Sequence, residues 1–167
     1  MSVERLWAPW RVRYVSNIGR KAKGCIFCRM LKAKNDRKNF IFCRSKTSFA
    51  VLNIYPYNNG HCLVLPYRHV KELRDLNGAE REDLWDLLDY TQDLLDDVLH
   101  PAGYNIGINY GHVGGAGSPG HVHIHIVPRW KGDVNFMPVT AQTKVIPQSL
   151  QELYERLCQR CRSVKRK

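Results

Sequence analysis

Residues 119–130 read PGHVHIHIVPRW, and the alternation within this stretch is the strongest structural signal in the sequence. His121, His123 and His125 occupy every second position. The residues between and after them are Val122, Ile124 and Ile126. Because alternate side chains of a β-strand point to opposite faces, the pattern predicts a strand at 121–127 with one apolar face in the core. Three imidazoles in a row need polar partners, so we expect the other face to be a functional surface and not a dry core.

The loop before this strand, GGAGSPG at 114–120, predicts an anion site. Its glycines let main-chain N–H groups turn inward and surround a negative charge, and Ser118 adds a hydroxyl donor. A flexible connection is the alternative interpretation of the loop taken alone. A glycine-rich cradle beside a row of imidazoles favours phosphate chemistry.

The other predicted elements complete an antiparallel α+β domain of about five strands. They are strands at 40–44, 49–53, 61–67 and 104–110, a long helix at 78–99, and a short C-terminal helix at 147–161. Asn77 followed by Glu80 is an N-cap pair for the long helix, and leucines repeat along it every three or four residues. The acidic residues of this helix predict a solvated face: Glu82, Asp83, Asp86, Asp89, Asp93 and Asp97.

Length and composition predict one domain over 1–167, which we expect to be cytoplasmic. Within it, 20–39 is expected to be a basic irregular segment, and 147–167 the C-terminal helix with a basic tail. The first residues lack the apolar run of a signal peptide, and no window is long enough to span a membrane. The net charge of +11 would attract anions, for which nucleotides and nucleic acids are the usual candidates, but charge taken alone favours a solvated surface with basic ends.

Two C-x-x-C pairs predict metal binding in a reducing compartment. Cys25 and Cys28 can chelate one Zn²⁺, and a closed tetrahedral site needs two further ligands. Cys158 and Cys161 form the second pair, so a Cys₄ site joining the two pairs is one possibility. The remaining two cysteines, Cys43 and Cys62, are expected to be buried strand residues.

The chain resembles the histidine triad superfamily of nucleotidyl hydrolases and transferases. The H-x-H-x-H motif followed by two apolar residues is the signature of that superfamily. Further similarity extends over VLNIYPYNNGHCLVLPYRHV (51–70) and GYNIGINYG before the glycine loop. The segments LWAPWR, PRWKGDVNF (128–136) and KVIPQSL (144–150) are similar to the longer branch, which contains the diadenosine tetraphosphate phosphorylases.

The resemblance implies a covalent mechanism on the middle histidine. His123 would attack the α-phosphorus in line and form a nucleotidyl-histidine intermediate. His125 and the loop amides would neutralise charge on the phosphoryl oxygens, and His125 could also protonate the leaving group. His121, the first residue of the triad, completes the implied catalytic set.

The same resemblance implies a nucleotide-binding set. Asn53 matches a position that contacts the ribose, and Asn109 and Ser118 match positions near the α-phosphate. His61 matches a histidine behind the site. Gly117 stands in the loop where many members have a glutamine, which leaves the acceptor of the second step open.

Members that carry a cysteine knuckle complete its metal site with two histidines. In this chain the implied zinc ligands are Cys25, Cys28, His69 and His121, in a structural role that leaves the reaction independent of a catalytic metal. Members of the family are commonly dimers with a shared sheet, so a homodimer is expected.

Three functions follow as hypotheses. The first is cleavage of dinucleoside polyphosphates such as diadenosine tetraphosphate, completed by phosphate to give ADP or by water to give AMP. The second is hydrolysis of adenosine phosphoramidates with the same nucleophile. The third, of another class, is nucleic-acid binding or end processing. The basic segment 20–39 contains Phe27 as its one aromatic residue, which is not the pattern of a nucleic-acid surface.

Overall fold

The computed structural model describes residues 24–133 and 148–164. The helices are α1 (Ile26–Lys32), α2 (Asp36–Asn39), α3 (Gly78–Leu99) and α4 (Leu150–Val164), with a 3₁₀ turn at Leu73–Asp75. The strands are β1 (Ile41–Arg44), β2 (Ser48–Leu52), β3 (Cys62–Pro66), β4 (Gly103–Ile108) and β5 (Ile124–Arg129). They form one antiparallel sheet in the order β1-β2-β3-β5-β4, which confirms the α+β class. The segment LWAPWR lies outside the described residues, as do most of KVIPQSL and the last three residues of the chain.

The long helix has the bounds that the sequence predicts. The Asn77 side chain accepts a hydrogen bond from the Glu80 N–H, while the Glu80 carboxylate accepts one from the Asn77 N–H. This reciprocal cap satisfies two N–H groups that lack partners inside the helix. The helix ends at Leu99 and is capped by His100, which adopts the left-handed conformation with φ 48°. Its buried leucines pack α3 against β2 and β3.

The prediction of an irregular segment at 20–39 is wrong where the structure describes it, because α1 and α2 lie there. Cys25 is the N-cap of α1, and the Asn35 side chain caps α2 by accepting from the Lys38 N–H. Strand β5 begins at Ile124, three residues later than predicted, so His121 and His123 precede it. The C-terminal helix is likewise shifted, from the predicted 147–161 to Leu150–Val164.

The sheet separates two apolar layers. On one side, which we call the helix face, α3 and α4 cover side chains that include Ala50, Val64, Ile124 and Ile126. On the other side, which we call the histidine face, Phe27 of α1 covers a smaller cluster. That cluster contains Ile41, Phe49, Val51, Leu63 and Leu65. The predicted core positions Val122, Ile124 and Ile126 are confirmed, at 4%, 1% and 0% exposure.

One acidic residue of α3 departs from the predicted solvated face. Asp83 accepts hydrogen bonds from the Ser45 and Thr47 hydroxyls and from the main-chain N–H groups of Lys46 and Thr47. It therefore holds the turn between β1 and β2. The Asp83 carboxylate is partly buried because it contacts this turn. The helical periodicity of the sequence carries no information about such a tertiary contact.

Within 24–133 and 148–164, every helix is too short or too polar to cross a membrane.

Candidate active site

The middle histidine has one ring nitrogen engaged by the main chain. His123 Nδ1 lies 2.8 Å from the carbonyl oxygen of His121. A carbonyl can only accept, so Nδ1 carries the proton and the neutral ring keeps its free electron pair on Nε2. The ring is 5% exposed, and this burial lowers the pKa of His123 below its ordinary value of 6.5. The geometry leaves an uncharged imidazole with Nε2 available for attack.

His125 is connected to a second chain of hydrogen bonds that fixes its proton. The Tyr57 main-chain N–H donates to His61 Nδ1 over 3.0 Å, so the His61 proton lies on Nε2. His61 Nε2 lies 2.9 Å from His125 Nδ1, which must then accept. His125 therefore carries its own proton on Nε2, where it can be donated to a phosphoryl or leaving-group oxygen.

The surroundings of His125 leave space for a ligand on one side. The Tyr57 ring stacks on the His125 ring, with centroids 5.8 Å apart and planes inclined by 10°. On β4, Gly107 is the register partner of His125, and a Cβ placed there would meet nothing within 4 Å. The His123 ring is the neighbour of His125, with centroids 4.9 Å apart. Asn53 lies at the rim, with its amide nitrogen 3.4 Å from His61 Nδ1.

The expectation that all three histidines line a wet face is wrong for two of them. His121 is 0% exposed and His123 is 5% exposed, whereas His125 is half-buried. The His121 ring belongs to a separate cluster with His69, at a centroid distance of 5.1 Å. Burial is tolerated because each of these two rings has a hydrogen-bond partner. His121 Nε2 donates to the Pro66 carbonyl at 2.9 Å, and His123 Nδ1 donates to the His121 carbonyl.

The glycine loop is more internally bonded than predicted. The N–H of Gly115 donates to the His112 carbonyl, and that of Ala116 donates to the Gly111 carbonyl. Those two amides therefore donate hydrogen bonds within the loop and are not part of an anion cradle. Gly117 is exposed and Ser118 half-buried, and their contact with phosphate stays a prediction.

Two further contacts fix this loop beside the histidines. A Cβ at Gly114 would lie 2.2 Å from the Tyr110 carbonyl oxygen, so the close turn requires glycine. A Cβ at Gly115 would lie 3.9 Å from the Asn109 amide nitrogen. The predicted phosphate-side residue Asn109 therefore lies next to the loop.

Four side chains that could hold a metal ion, which we call the metal constellation, lie directly beside the triad. Cys25, Cys28, His69 and His121 each offer one ligand atom, and these atoms all lie within 4.8 Å of one another. Cys25 Sγ is 3.4 Å from His121 Nδ1, and Cys28 Sγ is 3.4 Å from His69 Nδ1. The structure thus brings together the four residues implied by the family resemblance.

The donor set and its spacing fit zinc. Zinc–sulfur bonds of about 2.3 Å and zinc–nitrogen bonds of about 2.0 Å in a tetrahedron separate S and N by about 3.5 Å. The bond from His121 Nε2 to the Pro66 carbonyl leaves Nδ1 free to act as a ligand, as an outer hydrogen bond usually does at metal sites. Burial alone would raise the pKa of Cys25, but hydrogen bonds with His121 and the Cys28 main chain outweigh it and lower the pKa to about 6.

The alternative Cys₄ arrangement is wrong, because the second C-x-x-C pair lies on the helix face. Cys161 Sγ is 2.9 Å from Cys43 Sγ, and Cys158 packs at the edge of the same apolar cluster. The expected burial of Cys43 and Cys62 is confirmed, at 3% and 0% exposure.

Phe27 joins the metal constellation to His123, a link that sequence analysis missed. It lies between the two cysteines in sequence, is 6% exposed, and packs its ring 5.5 Å from His121 and 5.3 Å from His123. The Tyr57 amide and the open space at Gly107 were missed as well. Apolar residues are common within C-x-x-C motifs, so Phe27 does not stand out in the sequence. The sequence also does not show which main-chain N–H will donate to a histidine, or which strand position beside a histidine will leave open space.

An antiparallel sheet in which three alternating histidines lead into an inner strand defines a histidine triad protein. Residues 34–132 match the HIT domain, and the chain belongs to this family. It is 36% identical over 156 residues to a protein of Mycobacterium tuberculosis named AP-4-A phosphorylase, covering 90% of this chain and 80% of the relative.

Two other proteins extend the comparison. A Schizosaccharomyces pombe protein named bis(5'-nucleosyl)-tetraphosphatase (asymmetrical) is 41% identical over 93 residues, which cover 56% of this chain and 50% of that one. A zinc-bound histidine triad family protein of Mycobacterium smegmatis has a similar fold, with a TM-score of 0.63 and 22% identity. That match covers 86% of this chain and 96% of the solved chain.

Proposed function

We propose that this protein is a nucleotidyl transferase that cleaves dinucleoside polyphosphates of the diadenosine tetraphosphate type at the α-phosphate. The observation that carries the proposal is the His123 ring, whose Nδ1 donates to the His121 carbonyl and whose Nε2 is thereby left as a nucleophile. The names of the two similar proteins above indicate the same substrate class.

The first step forms a phosphorus–nitrogen bond. His123 Nε2 attacks the α-phosphorus, the bond from that phosphorus to the bridging oxygen breaks, and the remaining nucleoside polyphosphate leaves. The proton on His125 Nε2 is available to the departing oxygen, and His61 supports it from behind through the 2.9 Å hydrogen bond. Asn53 is proposed to bind the ribose, with Asn109, Gly117 and Ser118 at the α-phosphate.

The second step returns the enzyme to its starting state. Attack by inorganic phosphate on the nucleotidyl-histidine gives ADP, whereas attack by water gives AMP. We favour phosphate because the similarity to the AP-4-A phosphorylase covers most of both chains. Both reactions release ATP as the leaving group, and incubation with diadenosine tetraphosphate should give ADP as the second product only when phosphate is present. AMP as the only product besides ATP in both reactions would contradict phosphorolysis.

The covalent intermediate is tested directly by trapping. Wild-type protein mixed briefly with labelled diadenosine tetraphosphate and quenched should carry an acid-labile adenylyl group that maps to His123. His123→Ala should carry none, while His112→Ala, a histidine of the exposed loop, should be labelled normally. Label that persists in His123→Ala would exclude this nucleophile. A higher kcat/KM for an adenosine phosphoramidate than for the dinucleotide would instead make the phosphoramidase hypothesis the better one.

We further propose that Cys25, Cys28, His69 and His121 hold a structural zinc ion. When bound, the ion would fix α1, and with it Phe27, against the histidines; it supplies no step of the reaction. Purified protein should contain about one zinc per chain, a stoichiometry that follows from one closed four-ligand site. His69→Ala should lose the metal and Cys158→Ala should retain it, as measured by elemental analysis. Equal zinc in both variants would refute the assignment.

Assembly and location follow from the same proposal. A homodimer is supported by the exposed outer strand β4, where Ile106 is 42% exposed, and light scattering that gives a monomer mass would contradict it. A reducing cytoplasmic location suits a site that depends on free thiols. Nucleic-acid binding is disfavoured because several cations already pair within the chain. These are Arg37 with Glu155, Arg44 with Asp36, Arg68 with Glu80, and Arg160 with Asp97.

A further inference from the structure

The second C-x-x-C pair lies outside both the metal constellation and the proposed reaction. Cys161 of α4 is buried against Cys43 of β1, and their sulfur atoms are 2.9 Å apart although 118 residues separate them in sequence. Cys158 lies one helical turn earlier on α4 and is half-buried. Two thiols in such contact are positioned for the formation of a disulfide.

Both partners of the contact are held in place by the fold. The register of β1 against β2 shifts between Ile41 and Cys43, and this bulge places both Phe42 and Cys43 in the cluster of the helix face. On the other side, Arg156 of α4 donates to the Val98 carbonyl and Arg160 pairs with Asp97, which ties α4 to α3. The approach of the two sulfurs is therefore a consequence of three packed elements.

A cavity gives small molecules a route to these thiols. Its volume is about 230 Å³, it is partly open to solvent, and all three cysteines line it. The rest of its wall comes from Asp36, Ile41, Phe42, Arg44 and Tyr154. A space of this size admits several water molecules, and hence a small peroxide.

We propose that Cys43 and Cys161 form an oxidation site for small peroxides, at which the two thiols become a disulfide joining β1 to α4. One sulfur attacks a peroxide oxygen, the O–O bond breaks, and a sulfenic acid and an alcohol or water are formed. The second sulfur then attacks the sulfenic sulfur, the S–O bond breaks, and water leaves as the S–S bond forms. The two sulfurs lose two electrons in total, and the peroxide gains them.

The site is separate from the proposed nucleotide chemistry. Cys43 faces the helix side of the sheet, whereas Phe27 and the His125 register partner Leu63 belong to the histidine face. Strands β2 and β3 lie between β1 and β5, a separation of about 14 Å at the usual strand spacing. The disulfide should therefore strengthen the attachment of α4 without altering nucleotide turnover, and the inference does not depend on the proposed function.

The test compares two cysteines of the same helix. Reduced, zinc-loaded wild type, Cys158→Ser and Cys161→Ser are treated with hydrogen peroxide, blocked with an alkylating agent and digested without reductant. Wild type and Cys158→Ser should yield a peptide cross-linked between Cys43 and Cys161, and Cys161→Ser should not. The cross-link should raise the thermal midpoint by about 5–15 °C in the first two proteins, and dithiothreitol should reverse the rise.

Three results would overturn the inference. They are over-oxidation of either thiol without a cross-link, a disulfide confined to Cys25 and Cys28, and no loss of thiols at all. The last result would leave the contact between Cys43 and Cys161 as a packing contact of the core. Should Cys161→Ser fail to fold, Cys43→Ala removes the other sulfur and must abolish the same cross-link.

Discussion

The two C-x-x-C pairs of this chain lie on opposite faces of the sheet, and their surroundings differ. Cys25 and Cys28 meet two imidazoles, so their sulfur atoms are part of a four-ligand constellation. Cys158 and Cys161 meet an apolar cluster and a third thiol. The same spacing thus supports metal binding on one face and thiol packing on the other. The partners that the fold supplies, and not the motif, decide the chemistry.

The contrast extends to the whole sheet. The histidine face carries polar side chains whose hydrogen bonds fix proton positions, and the helix face carries the larger apolar core. Substitutions of these polar side chains on the histidine face should therefore change turnover more than stability. Substitutions on the helix face should change the free energy of unfolding more than the rate per folded molecule. The following predictions test this division, beginning with the largest effect.

His123→Ala should lower kcat by at least about 10⁴-fold, because the variant lacks the atom that forms the covalent bond. Its free energy of unfolding should change far less than its rate. Steady-state kinetics with diadenosine tetraphosphate and chemical denaturation of the same preparation give the two values. A variant that keeps a tenth of the wild-type rate would remove the basis for assigning chemistry to this face.

Leu95→Ala should have the opposite profile. Leu95 is 0% exposed on α3, and truncating a fully buried leucine costs about 2–5 kcal/mol through lost burial and the cavity left behind. Urea denaturation measures the loss, and kcat corrected for the folded fraction should equal that of wild type. A large fall in corrected kcat would show that the two faces are coupled.

His61→Phe should lower kcat by about 10²-fold while retaining the ring that packs on Tyr57 and His125. The change removes the donor to His125 Nδ1, so protonation of the leaving group should suffer most. An adenylate with an aryl leaving group, which needs little protonation, should therefore lose less activity than the dinucleotide. Equal losses for both substrates would assign His61 a packing role only.

Glu80→Gln should give the smallest effect, about 1 kcal/mol near neutral pH, because the amide keeps the oxygen that accepts from the Asn77 N–H but loses the charge that pairs with Arg68. Hydrogen bonds from Arg68 and from the Asn77 main chain lower the pKa of Glu80 from 4.5 to about 2. A depressed folded-state pKa stabilises the protein above the unfolded value and ceases to do so as pH falls. The stability difference between wild type and variant should thus shrink from pH 4.5 to about 2, as measured by thermal unfolding. A constant difference over that range would argue against the ion pair.

Much of the fold is predictable because its signals are local. The leucine spacing and the pair Asn77 and Glu80 define α3 from within a single segment. The predicted strands overlap those of the structure because β-forming runs are bounded by turn residues. The prediction for the basic segment 20–39 was wrong because its charges suggested an irregular backbone. In the structure, N-caps at Cys25 and Asn35 begin two short helices there.

The sequence likewise predicts those parts of the site whose residues lie within one motif. The triad spacing predicts the strand and the proposed nucleophile, and family resemblance supplies the proposed metal ligands. The hydrogen bond from Tyr57 to His61, the packing of Phe27 on His123 and the contact of Cys43 with Cys161 join distant segments. Such contacts depend on the tertiary structure, and no local pattern encodes them.

The hydrogen bond from the Tyr57 main chain to His61 determines which substitutions at position 57 the candidate site tolerates. Its donor is an amide of the backbone, which neither acid nor base within the physiological range can switch off. Any residue with an N–H at position 57 preserves the orientation of both protons behind His125, whatever its side chain. Proline is the exception, so Tyr57→Pro would remove the donor that fixes the order of donors and acceptors in the pair, without changing either imidazole.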